Sequence, residues 1–213
     1  GVFKQIVAGD RLTAERKVAN AAVSGLFRRQ RVVFLTDHLL KTLTPGETLA
    51  VVAHEIGHAK FKHLVFNFLL ALMTGVFVLW SLVLISPYVE SQEEIGLAVV
   101  ALQLCYVVLV FGTFARRFER QADLYGAHMV GDPGLMASAL LNLARANHVS
   151  MTKSSITHPS IKSRIAGLSK AFHKRGGDLA GALAKARWGN RAAAAAMILA
   201  LAVTVFLFEY LPA

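Results

Sequence analysis

The sequence predicts a mainly α-helical integral membrane protein with a small β-sheet and about three transmembrane helices. Three observations lead there. Of the 213 residues, 55% are hydrophobic and only 17% are charged, against about 25% charged in an ordinary soluble domain, so the excess apolar surface needs a solvent other than water. Three segments reach the roughly 20 apolar residues that cross a bilayer: Leu64–Ser86, Ile95–Ala115 and Ala192–Leu211. Charge is also asymmetric. Gly1–His63 carries ten Lys/Arg against five Asp/Glu, and Arg116–Arg191 carries thirteen against four, whereas Pro87–Glu94 holds Glu90, Glu93 and Glu94 and no base. By the positive-inside rule the basic segments face the cytoplasm and the acidic loop lies across the membrane.

Four regions follow from this division. Residues 1–63 form the N-terminal half of a catalytic unit, 64–115 a transmembrane hairpin, 116–190 the C-terminal half of that unit, and 191–213 a C-terminal span. Ala21–Leu26 and Arg31–Thr36, the latter rich in β-branched and aromatic residues, read as neighbouring strands joined around Arg28-Arg29-Gln30. Thr44-Pro45-Gly46-Glu47 is a helix start: Thr44 caps, Pro45 takes the first helical position and Glu47 closes a capping box. That helix is expected to turn Leu49, Val52, Ala53 and Ile56 inward and to run unbroken through His63 into the first span. Asn67 and Gln103, the polar residues of the first two spans, are expected to bond between helices.

Beyond the hairpin, Arg116–Val130 reads as a helix ended by Gly131-Asp132-Pro133-Gly134, which is a turn and the N-cap signal of the next helix. Leu135–Ala146 reads as an amphipathic helix with Met136, Ala139, Leu140 and Leu143 on one face. His158-Pro159 opens another, with Ile161, Ile165, Leu168 and Phe172 at 4-3-4 spacing. Gly176–Asn190 reads as a surface segment on the lipid headgroups. Cys105, the single cysteine, forms no intrachain disulfide and serves packing. Gly1 in place of Met, without a basic-then-apolar leader, suggests that the sequence starts inside a longer precursor.

His54-Glu55-Ile56-Gly57-His58 carries the chemistry. Two histidines four apart on a helix project from one face and can share one Zn²⁺, while Glu55 beside the first can act as a base toward a water at the metal. Arg116-Arg117-Phe118-Glu119-Arg120-Gln121-Ala122-Asp123 adds two carboxylates on one helix face. In one assignment Glu119 is the third ligand and Asp123 accepts the second N–H of a ligand histidine. In the other, both acids pair on the surface with Arg116 or Arg120.

In these motifs the chain resembles the membrane-bound M48 metallopeptidases, which include the CAAX prenyl proteases and the HtpX proteases. The resemblance runs from Asn20 to Leu168 and takes in Asn20-Ala21, Val33-Phe34-Leu35-Thr36-Asp37, Ala53 through His58, the segment around Glu119, Thr157-His158-Pro159-Ser160 and Arg164-Ile165. The wording around Glu119 and His63 looks closer to the CAAX prenyl protease branch. The resemblance implies a gluzincin-type metallopeptidase domain that binds one zinc ion through His54, His58 and Glu119. It makes Glu55 general base and proton donor, and His158 the oxyanion stabiliser. It places Asp123 behind His54 and Arg164 near the site, and has Asn20 hold the substrate backbone along an edge strand. The sequence departs from the family pattern in lacking hydrophobic helices ahead of this unit and in adding Ala192–Leu211.

The function expected is zinc-dependent endopeptidase action on membrane-associated, misfolded or lipidated proteins at the cytoplasmic membrane surface, with the bilayer and a protein substrate as partners. If the first helix is continuous, six residues at about 1.5 Å each put the metal about 9 Å from the first span. The alternative is a non-catalytic membrane scaffold or sensor with a structural zinc site. The +10 net charge raises nucleic acid as a partner, but no recognition motif accompanies it, and none is expected to bind.

Overall fold

A computed structural model describes residues 5–8, 18–25, 28–174 and 176–210. Leu26 and Leu211, which fall within expected elements, lie outside the described residues. The small sheet has three strands, β1 (Gln5–Ala8), β2 (Ala21–Ser24) and β3 (Val32–Leu35), in the order β1-β3-β2. β1 is parallel to β3, and β2 is antiparallel to it with Ala21 opposite Leu35. As expected, β2 and β3 are neighbours, joined through a 3₁₀ turn at Arg28–Gln30. Among the described residues β2 pairs only with β3 and lies at the edge of the sheet.

The helices are α1 (Asp37–Thr42), α2 (Pro45–Lys60), α3 (His63–Ile85), α4 (Gln92–Tyr106), α5 (Gly112–Val130), α6 (Pro133–Ala146), α7 (Ile161–Lys174) and α8 (Leu179–Tyr210). The α2 start forms as its residues predict: Thr44 accepts from the Glu47 N–H, and the Glu47 carboxylate accepts from the Thr44 N–H at 2.9 Å. Glu47 is 3% exposed, and its other oxygen accepts from Ser138 at 2.5 Å and Asn142 at 2.7 Å. One carboxylate therefore caps α2 and docks it on α6. Gly131 ends α5 in the left-handed region, and Asp132 caps α6 at the Gly134 N–H.

α2 and α5 approach closely because two glycines remove the side chains between them. A Cβ on Gly57 would lie 3.2 Å from Ala122 Cα, and one on Gly126 would lie 3.1 Å from the Ala50 carbonyl oxygen and 2.9 Å from Met136 Sδ. Around this contact Leu39, Ala50, Val51, Leu124, Met136, Leu140 and Leu168 form the main core.

Four expectations are corrected. The α2 helix does not continue into the first span: Phe61 caps it, donating to the Gly57 carbonyl, and Lys62 turns the chain through the left-handed region (φ 59°) before α3 begins. The distance argument from a continuous helix therefore fails. Leu49 is 57% exposed, because the inward stripe of α2 follows Ala50, Ala53 and Gly57 instead. Gly176–Asn190 is not wholly a surface segment, although Arg187 and Trp188 are exposed. From Leu179 on it belongs to the 32-residue α8, with Leu179, Ala182 and Asn190 buried. Asn67 and Gln103 do not bond: the Asn67 Oδ1 and both Gln103 amide atoms are buried without a hydrogen-bond partner among the described residues. Tyr106 ties the hairpin instead, donating to the Leu70 carbonyl at 3.1 Å and stacking on Phe77.

Among the described residues two helical stretches are long and apolar enough to cross a membrane: α3, and Gln92–Val130, in which a π-helical turn (Val107–Phe111) joins α4 to α5 without a break. Both leave their apolar side chains outward, with Leu64, Phe68, Leu79 and Leu84 of α3 and Leu97, Leu104 and Leu109 of the second stretch exposed. A soluble protein's core helix would bury such residues; here they form apolar surfaces of the kind that membrane or protein contact covers.

Candidate metal centre

His54 and His58 share one face of α2, and their Nε2 atoms are 3.1 Å apart. The close packing at Gly57 and Gly126 then sets α5 against that face, so Glu119 arrives with Oε2 3.9 Å from His54 Nε2 and Oε1 3.6 Å from His58 Nε2. Four-coordinate zinc with bonds of about 2.0–2.1 Å has ligand atoms about 3.3 Å apart. The three side chains fit such an ion in donor type and spacing, and all their ligand atoms lie within 4.8 Å of one another.

Each donor has a support behind it. His54 Nδ1 lies 3.0 Å from Asp123 Oδ1. Asp123 is gripped in turn by Arg164, whose Nε and Nη2 lie 2.9 and 2.5 Å from its two oxygens. The same Nη2 is 3.3 Å from Glu119 Oε2. The surface pairing of these acids with Arg116 or Arg120 does not occur: Asp123 is 2% exposed, and Arg116 instead donates to the Ile156 carbonyl at 3.4 Å. His58 leans on His63, with their Nδ1 atoms 2.9 Å apart. His63 Nε2 lies 2.9 Å from Gln121 Oε1, which also accepts from Asn190 of α8 at 2.6 Å.

The electrostatics follow from this burial. Burial, then His54, lowers the His58 pKa to about 3, which keeps the imidazole neutral and able to donate a lone pair. For His54, burial acts downward, but Asp123 outweighs it and the pKa is raised. Burial would raise the carboxyl of Glu119, which lies beyond the apolar part of its helix; the His158 hydrogen bond and Arg164 outweigh it and hold the pKa at about 2. Glu55 is different. Burial and the nearby Glu119 raise its pKa, only partly opposed by His54, Arg164 and the Val23 N–H. A carboxylate with a raised pKa beside a metal position is better suited to take up a proton than an ordinary one.

These residues face a cleft of about 530 Å³ that is also lined by Asn20, Ala21, Ala22 and Val23 of the edge strand. Asn20 is placed by its backbone, which exchanges bonds with Thr36 (Asn20 N–H to Oγ1 at 2.9 Å, Thr36 N–H to the Asn20 carbonyl at 3.0 Å). His158 reaches the cleft from the loop before α7, with Nδ1 3.3 Å from Glu119 Oε1, and that bond raises its pKa.

Thus His54, Glu55, His58, Glu119, Asp123, His158, Arg164 and Asn20 all converge here. No motif in the sequence marks His63, Gln121, Asn190 or Asn147 as part of this site. Asn147 clamps the approach to β2 by exchanging two bonds with the Ala19 backbone, at 2.9 and 2.8 Å. Only the five-residue interval from His58 to His63 hinted at a link.

Fold and site together define a helical membrane-type protein built around a two-histidine, one-glutamate metal constellation. The chain matches Peptidase family M48 over residues 10–172 and belongs to that family. Protease HtpX of Legionella pneumophila (strain Lens) is 29% identical over 151 residues, covering 66% of this chain and 54% of the relative. A Protease HtpX homolog of Pyrococcus furiosus is 32% identical over 141 residues, covering 61% and 48%. The chain spans about half the length of the curated relatives it matches. The crystal structure of S. mikatae Ste24p superposes with a TM-score of 0.61 at 19% identity, covering 78% of this chain and 45% of that one, which is a likeness of fold.

Proposed function

We propose that this chain is the catalytic part of a zinc-dependent membrane endopeptidase, acting at the cytoplasmic bilayer surface on membrane-associated, misfolded or lipidated proteins. The observation that carries it is the meeting of His54, His58 and Glu119 at metal-ligand spacing, with Glu55 in the same cleft as the edge strand β2. A closed structural site offers no such cleft or free base, which disfavours the scaffold reading.

When bound there, zinc supplies Lewis-acid polarisation of water and of the scissile carbonyl. The chain's own groups do the rest. The edge of β2 receives the substrate as an added strand, with Asn20 at its entrance. Glu55 takes a proton from the attacking water and returns it to the leaving amine. His158, exposed at the cleft and held on Glu119, donates to the oxyanion that develops on the carbonyl. Arg164 keeps Asp123 ionised and in place, and Asp123 holds the proton on His54 Nδ1 so that Nε2 is free to ligate.

α3, the apolar part of Gln92–Val130 that ends before Arg116, and the apolar end of α8 make up three spans. α8 runs against α3, where Trp80 Nε1 donates to Thr204 Oγ1 at 3.2 Å. The basic flanks set the catalytic side toward the cytoplasm.

The test is cleavage of a model membrane substrate by the purified chain in detergent with zinc. Glu55→Gln should still bind zinc yet lose at least about 10²-fold in rate, the scale of general-base catalysis. Cleavage at the parent rate by that variant would sink the mechanism.

A further inference from the structure

A second cavity, of about 280 Å³, opens where α2 gives way to α3, and four of its lining side chains are cations. Lys60 and Lys62 come from the helix break, and Arg187 and Arg191 come one turn apart on α8. No acidic residue lines it, and among the described residues none of the four is in an ion pair. Lys60 touches only an uncharged partner, with Nζ 3.4 Å from the Tyr125 hydroxyl and 4.4 Å from its ring centre. Like charges gathered around one small, partly enclosed space repel, and an anion in that space relieves them all at once.

The rest of the lining narrows the anion's chemistry. Gln121 and Asn190 contribute amides that are 1% and 5% exposed, a polar floor suited to oxygen atoms. Phe61 and Phe66 supply apolar wall. Phe66 lies in the first turn of α3, and Arg191 immediately precedes the apolar end of α8. If these helices span as proposed, the cavity lies at the level of the headgroups. Scattered lysines and arginines at helix ends commonly reach toward headgroups. Here, however, two elements more than a hundred residues apart aim their cations into one cavity.

We propose that this cavity binds a phosphate anion, supplied by the headgroup of an anionic phospholipid or by free inorganic phosphate. Guanidinium and ammonium groups are the usual partners of such oxygens, and basic pockets between transmembrane helices hold anionic headgroups. Only the placement at the bilayer rests on the function proposed above.

The experiment uses the full chain in nanodiscs of phosphatidylcholine alone, of phosphatidylcholine with phosphatidylglycerol, or of phosphatidylcholine with inorganic phosphate in solution. The readouts are the melting temperature and the lipid retained on extraction. The parent and a charge-matched control, Lys170→Gln with Lys174→Gln on α7, should be stabilised by phosphatidylglycerol or by inorganic phosphate, and the arm that responds identifies the source. Arg187→Gln with Arg191→Gln should weaken binding about 30-fold, the value for two cations near an anionic surface. If that variant fails to fold, Lys60→Gln with Lys62→Gln gives the same readout. A parent that responds to neither anion overturns the proposal, as does an equal loss in the control. Zinc-dependent cleavage is assayed on the same samples. Binding without cleavage defeats the proposed function and leaves the site standing; cleavage without binding does the reverse.

Discussion

His63 Nδ1 lies 2.9 Å from His58 Nδ1, and that contact settles which nitrogen of His58 faces the metal position. The other nitrogen of His63 meets Gln121 Oε1 at 2.9 Å, and an amide oxygen only accepts. His63 therefore carries its proton on Nε2 and accepts at Nδ1 from the His58 Nδ1–H. The lone pair of His58 is then on Nε2, the atom beside His54 and Glu119. Asn190 holds Gln121 in this orientation through its own N–H at 2.6 Å.

Removing that support should cost metal affinity more than it costs the fold. His63→Ala is expected to weaken zinc binding about 10- to 100-fold in chelator competition, the usual effect of losing a group behind a ligand histidine. His63→Gln, which can accept from His58 and donate to Gln121, should recover much of the loss. Equal affinities for His63→Ala and the parent would show that His58 needs no partner at Nδ1.

Gly57 governs how near α5 comes to the histidines. Gly57→Ala places a Cβ 3.2 Å from Ala122 Cα, a backbone atom that can yield only if the two helices part by a few tenths of an ångström. Since Glu119 and Ala122 lie on the same helix, the parting moves Glu119 away from His54 and His58. We expect a melting temperature lower by the equivalent of about 1–3 kcal/mol, as for other overpacked contacts. Weaker zinc binding should accompany it, although no ligand has changed. Zinc affinity at the parent value would mean that the ligands adjust independently of the helix spacing.

What could be read from the chain was what short range decides. The capping box at Thr44 to Glu47, the strand pair around Arg28–Gln30 and the Asp132-Pro133 helix start each lie within a few residues and formed as expected. Glu119 could be found because Asp123 follows it by one turn and Arg164 lies in a recognisable motif. The break at Lys62 was hidden because neither proline nor glycine marks it; a lysine takes the left-handed turn there. Asn190 was hidden for another reason. Its partner Gln121 is 69 positions away, and its neighbours Arg187, Trp188 and Arg191 are exposed, so no apolar stripe announces a buried position there. Exposed Leu49 and buried Gly57 show the same limit: the approach of α5 decides which face of α2 is covered.

Glu47 offers a test of stability away from the metal. Burial pushes its pKa up, but the hydrogen bonds from Ser138, Thr44 and Asn142 outweigh that and hold it below the ordinary 4.5. A group whose pKa is depressed on folding contributes stability that is complete above its unfolded pKa and lost as pH falls through the folded one. Thermal unfolding in mild detergent should therefore show Glu47→Gln less stable than the parent at pH 7, by about 2 kcal/mol for hydrogen bonds to a buried charge. The gap should close as pH falls below about 4.5, because a protonated Glu47 comes to resemble the amide. Other buried carboxylates, Asp123 among them, titrate in both proteins and cancel in the difference. A gap that stays constant from neutral to strongly acidic pH would show that the shape of the side chain, and not its charge, joins α2 to α6.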